Sequence, residues 1–320
     1  MESTQHQADR LQWLKARQAG IGGSDSAALF GVNPFQSPFA LWESKIAETV
    51  IDEEGSPAQY WGTKLEPAIR DAYAEKTGRV VVNGVELAKH PEFPFMLANT
   101  DGLIMPNADH DSEGTYEGKT TNVFNRRDWD HGPPLYYQVQ LQHYCGVLGH
   151  TWGSIAVLVM GSRDPFQWND MEANPSFIEA LQEREYDFWH RYVLPRVPPP
   201  TDGDKSTKKA LAKLFPHDNG RVIILPPLAL ELHEERCEIG SKLRKLDERK
   251  EAIDNELKLA IGENSYGAIL NPQGTVVAGY SFREQHRPER VQPACSFRSL
   301  RGASPKTVAG ILHDQRKAND

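Results

Sequence analysis

Long apolar runs are missing from this sequence of 320 residues. No stretch approaches the roughly 18 residues that a membrane-spanning helix requires. The most apolar one, residues 155–160, has the length of a strand. The first 17 residues are polar and lack the apolar segment of a secretory signal, so a cytoplasmic location is expected. Cysteine is scarce. Cys145, Cys237 and Cys295 stand far apart and form no CxxC, which argues against a disulfide framework and a cysteine-built zinc site. No GK[ST] triplet follows the glycine pair Gly22-Gly23, which excludes a Walker-type phosphate loop there. An excess of positive charge is missing too, the formal net charge being −8. That excludes a uniformly basic surface but not a locally basic lining. From Ser265 onward there are eight Lys/Arg against four Asp/Glu, which leaves −12 for residues 1–264.

What is present is ordinary globular material, 39% hydrophobic and 25% charged, so a packed core is expected. Ser24, following Gly22 and Gly23, is expected to cap a short helix that Gly31 ends. Ser37-Pro38 opens a second helix, with proline at the first helical position. A third is expected over residues 59–76, stopping at Gly78. Strand signals follow over residues 79–82, 95–103 and 115–120, the last two separated by a polar loop at 106–114. Pro133-Pro134 opens a helix through Leu148 that Gly149 closes. Residues 154–160 read as a buried strand and 176–193 as an amphipathic helix rich in aromatics. The PPPTDGD run within residues 197–204 reads as a linker. Pro226-Pro227 then starts a long helix in which Leu232, Ile239, Leu243, Leu246, Ile253 and Leu257 recur at spacings of three and four, interrupted by Arg236 and Lys250. Pairing with another helix and packing on the core both satisfy that pattern. Residues 266–270 and 275–281, around Asn271-Pro-Gln-Gly274, read as a hairpin.

The chemistry concentrates at Glu117-Gly118-Lys119. Side chains alternate along a strand, so Glu117 and Lys119 point to one face and Gly118 leaves the backbone open. Asp101 ends an apolar segment that a neighbouring strand can bring beside Glu117. Two carboxylates and a carbonyl form an oxygen site suited to Mg²⁺. Lys119 can then hold, or help deprotonate, a water aimed at phosphorus, which is a recipe for phosphodiester hydrolysis. The triplet alone is weak, because ExK also begins at Glu43, Glu248 and Glu256. Those three fall in helical patterns and read as solvated ion pairs. Only Glu117 lies in a strand-like setting with an aspartate upstream, and an exposed strand pair is the alternative reading there.

Five ordered motifs extend the pattern. They are RQAGIGGSDSAALFGVNPFQSPFALWESK at residues 17–45, GTKLEP at 62–67, NTDGL at 99–103, YEGKT at 116–120 and PPLYYQVQLQ at 133–142. In this order they resemble the YqaJ-like viral recombinase family, relatives of phage lambda exonuclease, over about half the chain. The length and the C-terminal extension are most similar to the prophage-type alkaline exonucleases of that family.

That resemblance implies an α/β fold with a PD-(D/E)xK, restriction-endonuclease-like core. Such a core is a central mixed β-sheet flanked by helices, here with a helical and β-hairpin C-terminal extension. The organisation it implies is a nuclease core over residues 1–196, a linker over 197–225 and an extension over 226–320. It assigns Asp101, Glu117, the Gly118 carbonyl and Glu66 to one or two Mg²⁺ ions, with Mn²⁺ as a substitute, and gives Lys119 the attacking water. Gln138 and Gln140 match a QxQ motif. Residues two apart on a helix diverge, so one of them, with Gln138 preferred, is expected at the site. The family often carries a tyrosine three positions before the first glutamine, where this chain has Leu135 beside Tyr136 and Tyr137. Arg17 and Ser24 match residues that hold a 5′-terminal phosphate, chemistry that an arginine fork and a Gly-Gly-Ser turn can supply.

The implied activity is a 5′→3′ exonuclease on linear double-stranded DNA that releases 5′-mononucleotides and leaves 3′ single-stranded tails for annealing recombination. The implied partners are DNA ends, a single-strand annealing protein and two further copies in a ring-shaped homotrimer, in a bacterial host carrying phage or prophage. Two other readings use the same residues: a structure-specific endonuclease and a non-catalytic DNA-end-binding protein. Iron–sulfur nucleases of the same fold need four clustered cysteines, which this chain lacks.

Overall fold

The computed structural model describes residues 11–49 and 57–284, with isolated positions at 308, 309, 311, 314 and 317. Its backbone divides into two compact units, Met1–Phe215 and Pro216–Asp320.

The first unit is organised by a five-stranded sheet of order β2-β5-β6-β7-β8. Its strands are β2 (Val81–Asn83), β5 (Gly102–Ile104), β6 (Gly114–Asn122), β7 (Trp152–Met160) and β8 (Phe166–Glu172). Only β6 and β7 run parallel; the other neighbours are antiparallel, so the sheet is mixed. A parallel pair needs a crossover. It is made by a 3₁₀ segment, Val123–Trp129, and a helix, Leu135–Leu148, that Gly149 ends with φ +71°. Three shorter strands, β1 (Ile21–Gly22), β3 (Ala88–Lys89) and β4 (Met96–Ala98), form a second sheet of order β1-β4-β3.

After a helical stretch at residues 11–18, the helices of this unit in chain order are α1 (Gly23–Leu29), α2 (Pro38–Ile46), α3 (Pro57–Thr77), α4 (Leu135–Leu148), α5 (Pro175–Phe188) and α6 (Lys205–Leu214). A π-turn, Trp189–Val193, continues α5. Both faces of the five-stranded sheet are covered. Ile69 and Tyr73 of α3 pack with Tyr116, Trp152 and Ala156 on one face. Leu141 and Cys145 of α4 pack with Ile155, Val157 and Val159 on the other. A strand buried on both faces reads as a continuous apolar run, which explains residues 154–160. The anticipated mixed sheet flanked by helices is therefore present.

Three local expectations change. Residues 95–103 do not form one strand: β4 and β5 join different sheets, with a bend at 99–101 that Thr100 fixes through two hydrogen bonds to Val85. Ser24 is not the cap of α1. Gly22 holds that position, and its N–H donates to Asp25 Oδ2 at 3.0 Å. Ser37 does cap α2, its Oγ accepting from Ala40 N at 3.1 Å. Finally, residues 205–214, inside the expected linker, are the helix α6. Thr207 Oγ1 lies 2.6 Å from Ser37 Oγ, and Ala210 is buried with Phe39 and Trp42 of α2.

The second unit holds α7 (Leu228–Ile261) and the antiparallel hairpin of β9 (Tyr266–Leu270) and β10 (Val276–Ser281). Asn271 Oδ1 closes the turn by accepting from Gln273 N and Thr275 N. The hairpin seals the end of α7, where a side chain at Gly267 would meet Ile261 Cγ1 at 2.8 Å. No described helix is long and apolar enough to cross a membrane.

Candidate active site

The β5–β6 register pairs Gly102 with Tyr116 and so brings Asp101 to the edge of β6. Asp101 Oδ2 accepts from Gly118 N at 2.9 Å. The N–H and C=O of one strand residue point the same way, so the Gly118 carbonyl also faces the Asp101 side. Glu117 and Lys119 point out of the sheet on its α4-facing side, and Lys119 Nζ donates to Glu117 Oε1 at 2.7 Å. Gln140 Nε2, from α4, donates to the same oxygen at 2.7 Å and lies 3.2 Å from Tyr144 Oη. The Lys119 ammonium stands 4.9 Å above the Tyr137 ring, an additional cation–π contact.

Glu117 is buried, and its Oε2 has no hydrogen-bond partner among the described residues. Burial first, then the charges of Asp101 and Glu66, push its carboxyl up to about 8 against the opposing pull of Lys119. Glu66, half-buried on α3, is raised by burial and by Asp101, with Lys119 and Arg70 opposing. Burial works against the Lys119 charge, but Glu117 and Asp101 outweigh it and hold the ammonium above its ordinary value. Glu117 and Glu66, both raised in part by the charge of Asp101, form with it a site that a cation would relieve. Among the described residues no three His, Cys, Asp or Glu side chains enclose a single point. A Mg²⁺ ion here would take one or two carboxylates and complete its shell with the Gly118 carbonyl, water and phosphate, which is how this hard ion is usually held. The orphaned Glu117 oxygen, the Gly118 carbonyl and the nearby Asp101 fit that description.

A second cluster sits where α1 meets α2. Arg17 Nη2 donates to Ser24 Oγ at 2.7 Å and approaches Asp25 at 3.7 Å. Asp25 also pairs with Lys45 Nζ at 2.7 Å. Burial alone would raise the Asp25 pKa, but Lys45 and Arg17 overcome it and hold it at about 2. Burial pulls the Lys45 pKa down, and Asp25 offsets this only in part. Arg17, Gln18, Asp25, Ser44, Lys45 and Lys213 line a cleft of about 540 Å³. The two clusters are joined at Gly23. A Cβ there would stand 2.7 Å from the Tyr144 ring and 2.9 Å from Gln140 Cγ. Only glycine lets α1 approach α4 this closely, which accounts for Gly23.

The structure thus brings together Asp101, Glu117, Gly118, Lys119 and Gln140, sets Glu66 within their electrostatic reach, and joins Arg17 to Ser24. It does not bring Gln138 in. Its Nε2 donates to the Pro133 carbonyl at 2.6 Å, on another side of α4, so the glutamine that reaches the site is Gln140. The reading of Glu43-Ser44-Lys45 as solvated also fails, since the Lys45 side chain is only 4% exposed. Lys250 and Lys258, from two other triplets, do form exposed pairs with Asp254 and Glu251.

Sequence reasoning missed Asp25, Lys45, Tyr137 and Tyr144, and a buried knot of Ser26, His143 and Glu185. In that knot His143 Nδ1 lies 2.8 Å from both Ser26 Oγ and Glu185 Oε1, while Nε2 lies 3.0 Å from the Leu97 carbonyl. Burial disfavours charge on His143, but Glu185 outweighs it and raises the pKa. One signal was available: Gln140, His143 and Tyr144 stand three and four apart, on one helical face.

Residues 12–151 match the family described as the YqaJ-like viral recombinase domain. The chain is 31% identical over 268 residues to the uncharacterized protein YqaJ of Bacillus subtilis (strain 168), a match covering 82% of each chain. Among solved structures, an alkaline exonuclease from Laribacter hongkongensis is 21% identical with a TM-score of 0.48, covering 64% of this chain and 99% of that one. The same enzyme in complex with dAMP gives a TM-score of 0.49, with the same identity and coverage. A phage-related exonuclease from Haemophilus somnus 129PT is 10% identical with a TM-score of 0.39, covering 61% and 96%.

Proposed function

Because the chain belongs to the YqaJ-like viral recombinase family, we propose that it is a Mg²⁺-dependent 5′→3′ exonuclease acting on linear double-stranded DNA. The observation that carries this reading is the arrangement at β6. There Glu117 offers an unpartnered oxygen beside Asp101 and Glu66, and a lysine two residues on is held in place.

Asp101, Glu117, the Gly118 carbonyl and Glu66 would hold the metal, with Mn²⁺ as a substitute and room in the acid set for a second ion. When bound, Mg²⁺ supplies Lewis-acid stabilisation of phosphoryl charge and lowers the pKa of the attacking water. Gln140 and Lys119 both anchor Glu117 Oε1, which leaves Oε2 to face the metal position. Lys119, steadied by the Tyr137 ring, orients the water and offers positive charge to the phosphoryl oxygens. Arg17 and Ser24 take the 5′-terminal phosphate, with Asp25 and Lys45 fixing the arginine's surroundings. Docking the strand end there sets the polarity of digestion and the release of 5′-mononucleotides. The 3′ tails that remain suit a single-strand annealing partner, and a ring-shaped homotrimer around the duplex belongs to the same reading.

The test compares linear duplexes bearing 5′-phosphate or 5′-hydroxyl ends with a closed circle, each with Mg²⁺. Linear phosphorylated ends are expected to be digested fastest and the circle to survive. Cleavage of the circle would replace this reading with an endonuclease on the same site. Lys119→Ala and Asp101→Ala are expected to abolish turnover while DNA binding persists. Retained turnover in either removes the metal-site assignment, and an intact protein that never cuts would be an end-binding protein.

A further inference from the structure

The knot of Ser26, His143 and Glu185 has no part yet in the chemistry, and its hydrogen bonds define its state. All three side chains are fully buried. His143 Nε2 lies 3.0 Å from the Leu97 carbonyl, and a carbonyl only accepts, so Nε2 carries a proton. His143 Nδ1 lies 2.8 Å from Glu185 Oε1, which also accepts from the Ser26 hydroxyl. Two acceptors this close need a proton between them. The bond from Ser26 favours the carboxylate form of Glu185 and leaves that proton on Nδ1. The ring therefore donates on both sides, as an imidazolium. Burial opposes its charge, and Glu185, the Leu97 carbonyl and Asp25 outweigh burial. His90 and Tyr144 are the other titratable groups beside it. This is not a hydrolase triad, because the serine gives its proton to the carboxylate and is itself buried.

Each partner of the ring belongs to an element of the candidate site. Ser26 follows Ser24 and Asp25 on α1, the residues that hold Arg17 and Lys45. Leu97 of β4 is the register partner of Gly22, in the strand that leads into α1. On α4, His143 stands one turn after Gln140, which holds Glu117. Gly23 permits the close approach of α1 to α4. The knot fixes it, by tying α1, β4 and α5 to one ring on α4. We propose that His143 is a positioning residue that holds the Arg17–Ser24 pair at a set distance from Glu117 and Lys119. A docked strand end then presents its first phosphodiester bond to the attacking water. This rests on the exonuclease reading above.

Ser26→Ala cuts the α1 side of the knot and leaves the His143–Glu185 pair in place. Digestion of duplexes with 5′-phosphate or 5′-hydroxyl ends reads turnover. Binding of the same duplexes to Lys119→Ala protein, with and without Ser26→Ala, reads the phosphate pocket alone. A split is expected: kcat on phosphorylated ends falls about ten- to a hundredfold, the scale of a small misplacement of reacting groups, while the binding preference for those ends persists. A purely structural role would lower the melting temperature without that split. Equal losses of kcat on both ends, or a loss seen in binding instead, overturn the proposal. A second measurement does not depend on cleavage. In protein labelled with ¹⁵N-histidine, one ring is expected to show two N–H protons at about pH 7.5, where an ordinary imidazole is neutral, and His143→Gln is expected to remove that signal. A single ring proton on His143 overturns the proposal even in a protein that digests DNA as expected. A wild-type protein that keeps both ring protons but leaves linear duplex intact removes the exonuclease reading, and the positioning role falls with it.

Discussion

A single hydrogen bond separates two glutamines that the sequence presents as near equals. Gln140 donates to Glu117, and Gln138 donates to the backbone of Pro133. Gln140→Ala leaves Glu117 Oε1 held by Lys119 alone and loosens the aim of the carboxylate. It is expected to lower kcat about 10- to 100-fold, the cost typical of a residue that orients a metal ligand, while Gln138→Ala stays within a few-fold. Steady-state digestion of a 5′-phosphorylated duplex measures both, and equal losses would contradict the assignment. Asp25 gives a prediction about stability. Its carboxyl is held at about 2 in the fold, against about 3.9 in an unfolded chain. Its contribution is thus complete above pH 4 or so and is lost as pH falls through the folded value, amounting to about 2 kcal/mol. Asp25→Asn is expected to flatten the fall of urea-unfolding stability between about pH 4 and pH 2 relative to wild type. An unchanged slope would mean that the Lys45 pair contributes nothing.

At the scale of elements, α6 is the clearest test of what the sequence hides. Proline, glycine and aspartate at 197–204 signal a break, and the helix after it carries four lysines among ten residues. Its contribution to the core is small in area: Ala210 and Thr207, with Leu211 and Leu214 partly covered. Small buried residues leave a faint pattern, so the segment reads as linker. Ala210→Asp places a charge against Phe39 and Trp42 and is expected to cost about 3 kcal/mol in chemical denaturation. A linker residue would tolerate the change. The same element explains why Ser37 is more than a cap: its hydroxyl serves Ala40 and also meets Thr207. The helices and strands with strong local signals, α2, α3, α4, β7 and the β9–β10 hairpin, were legible because caps, closing glycines and apolar runs act within a few residues. The split of 95–103 into β4 and β5 was not, because the bend is held by Val85, more than ten residues away.

For the whole molecule, the division at Pro216 predicts where the chain can be shortened. A fragment ending at Phe215 keeps α6 on α2 and is expected to unfold cooperatively in a thermal melt. A fragment ending at Arg196 exposes Phe39 and Trp42 and is expected to melt several degrees lower or to aggregate. Equal melting temperatures would show that α6 adds nothing to the first unit. Among its described residues the second unit buries Ile261, while Leu232, Ile239, Leu243, Leu246 and Ile253 of α7 are exposed.

The sequence by itself determined the mixed α/β architecture, the extents of the longer elements and the glutamate and lysine that stand together on β6. Each depends on local rules: strand alternation, helix caps and ordered motifs. Only the tertiary structure decided which glutamine reaches Glu117, that Lys45 is buried against Asp25, and that Gly23 lets the Arg17–Ser24 pair lie beside α4. These are contacts between residues 20 to more than 100 positions apart, and neither helical nor strand periodicity carries information across such distances. The opening triplet Glu117-Gly118-Lys119 shows the division well. Its spacing fixed which face the two side chains share, and the fold supplied the partners Asp101, Glu66 and Gln140 that make the site a candidate for catalysis.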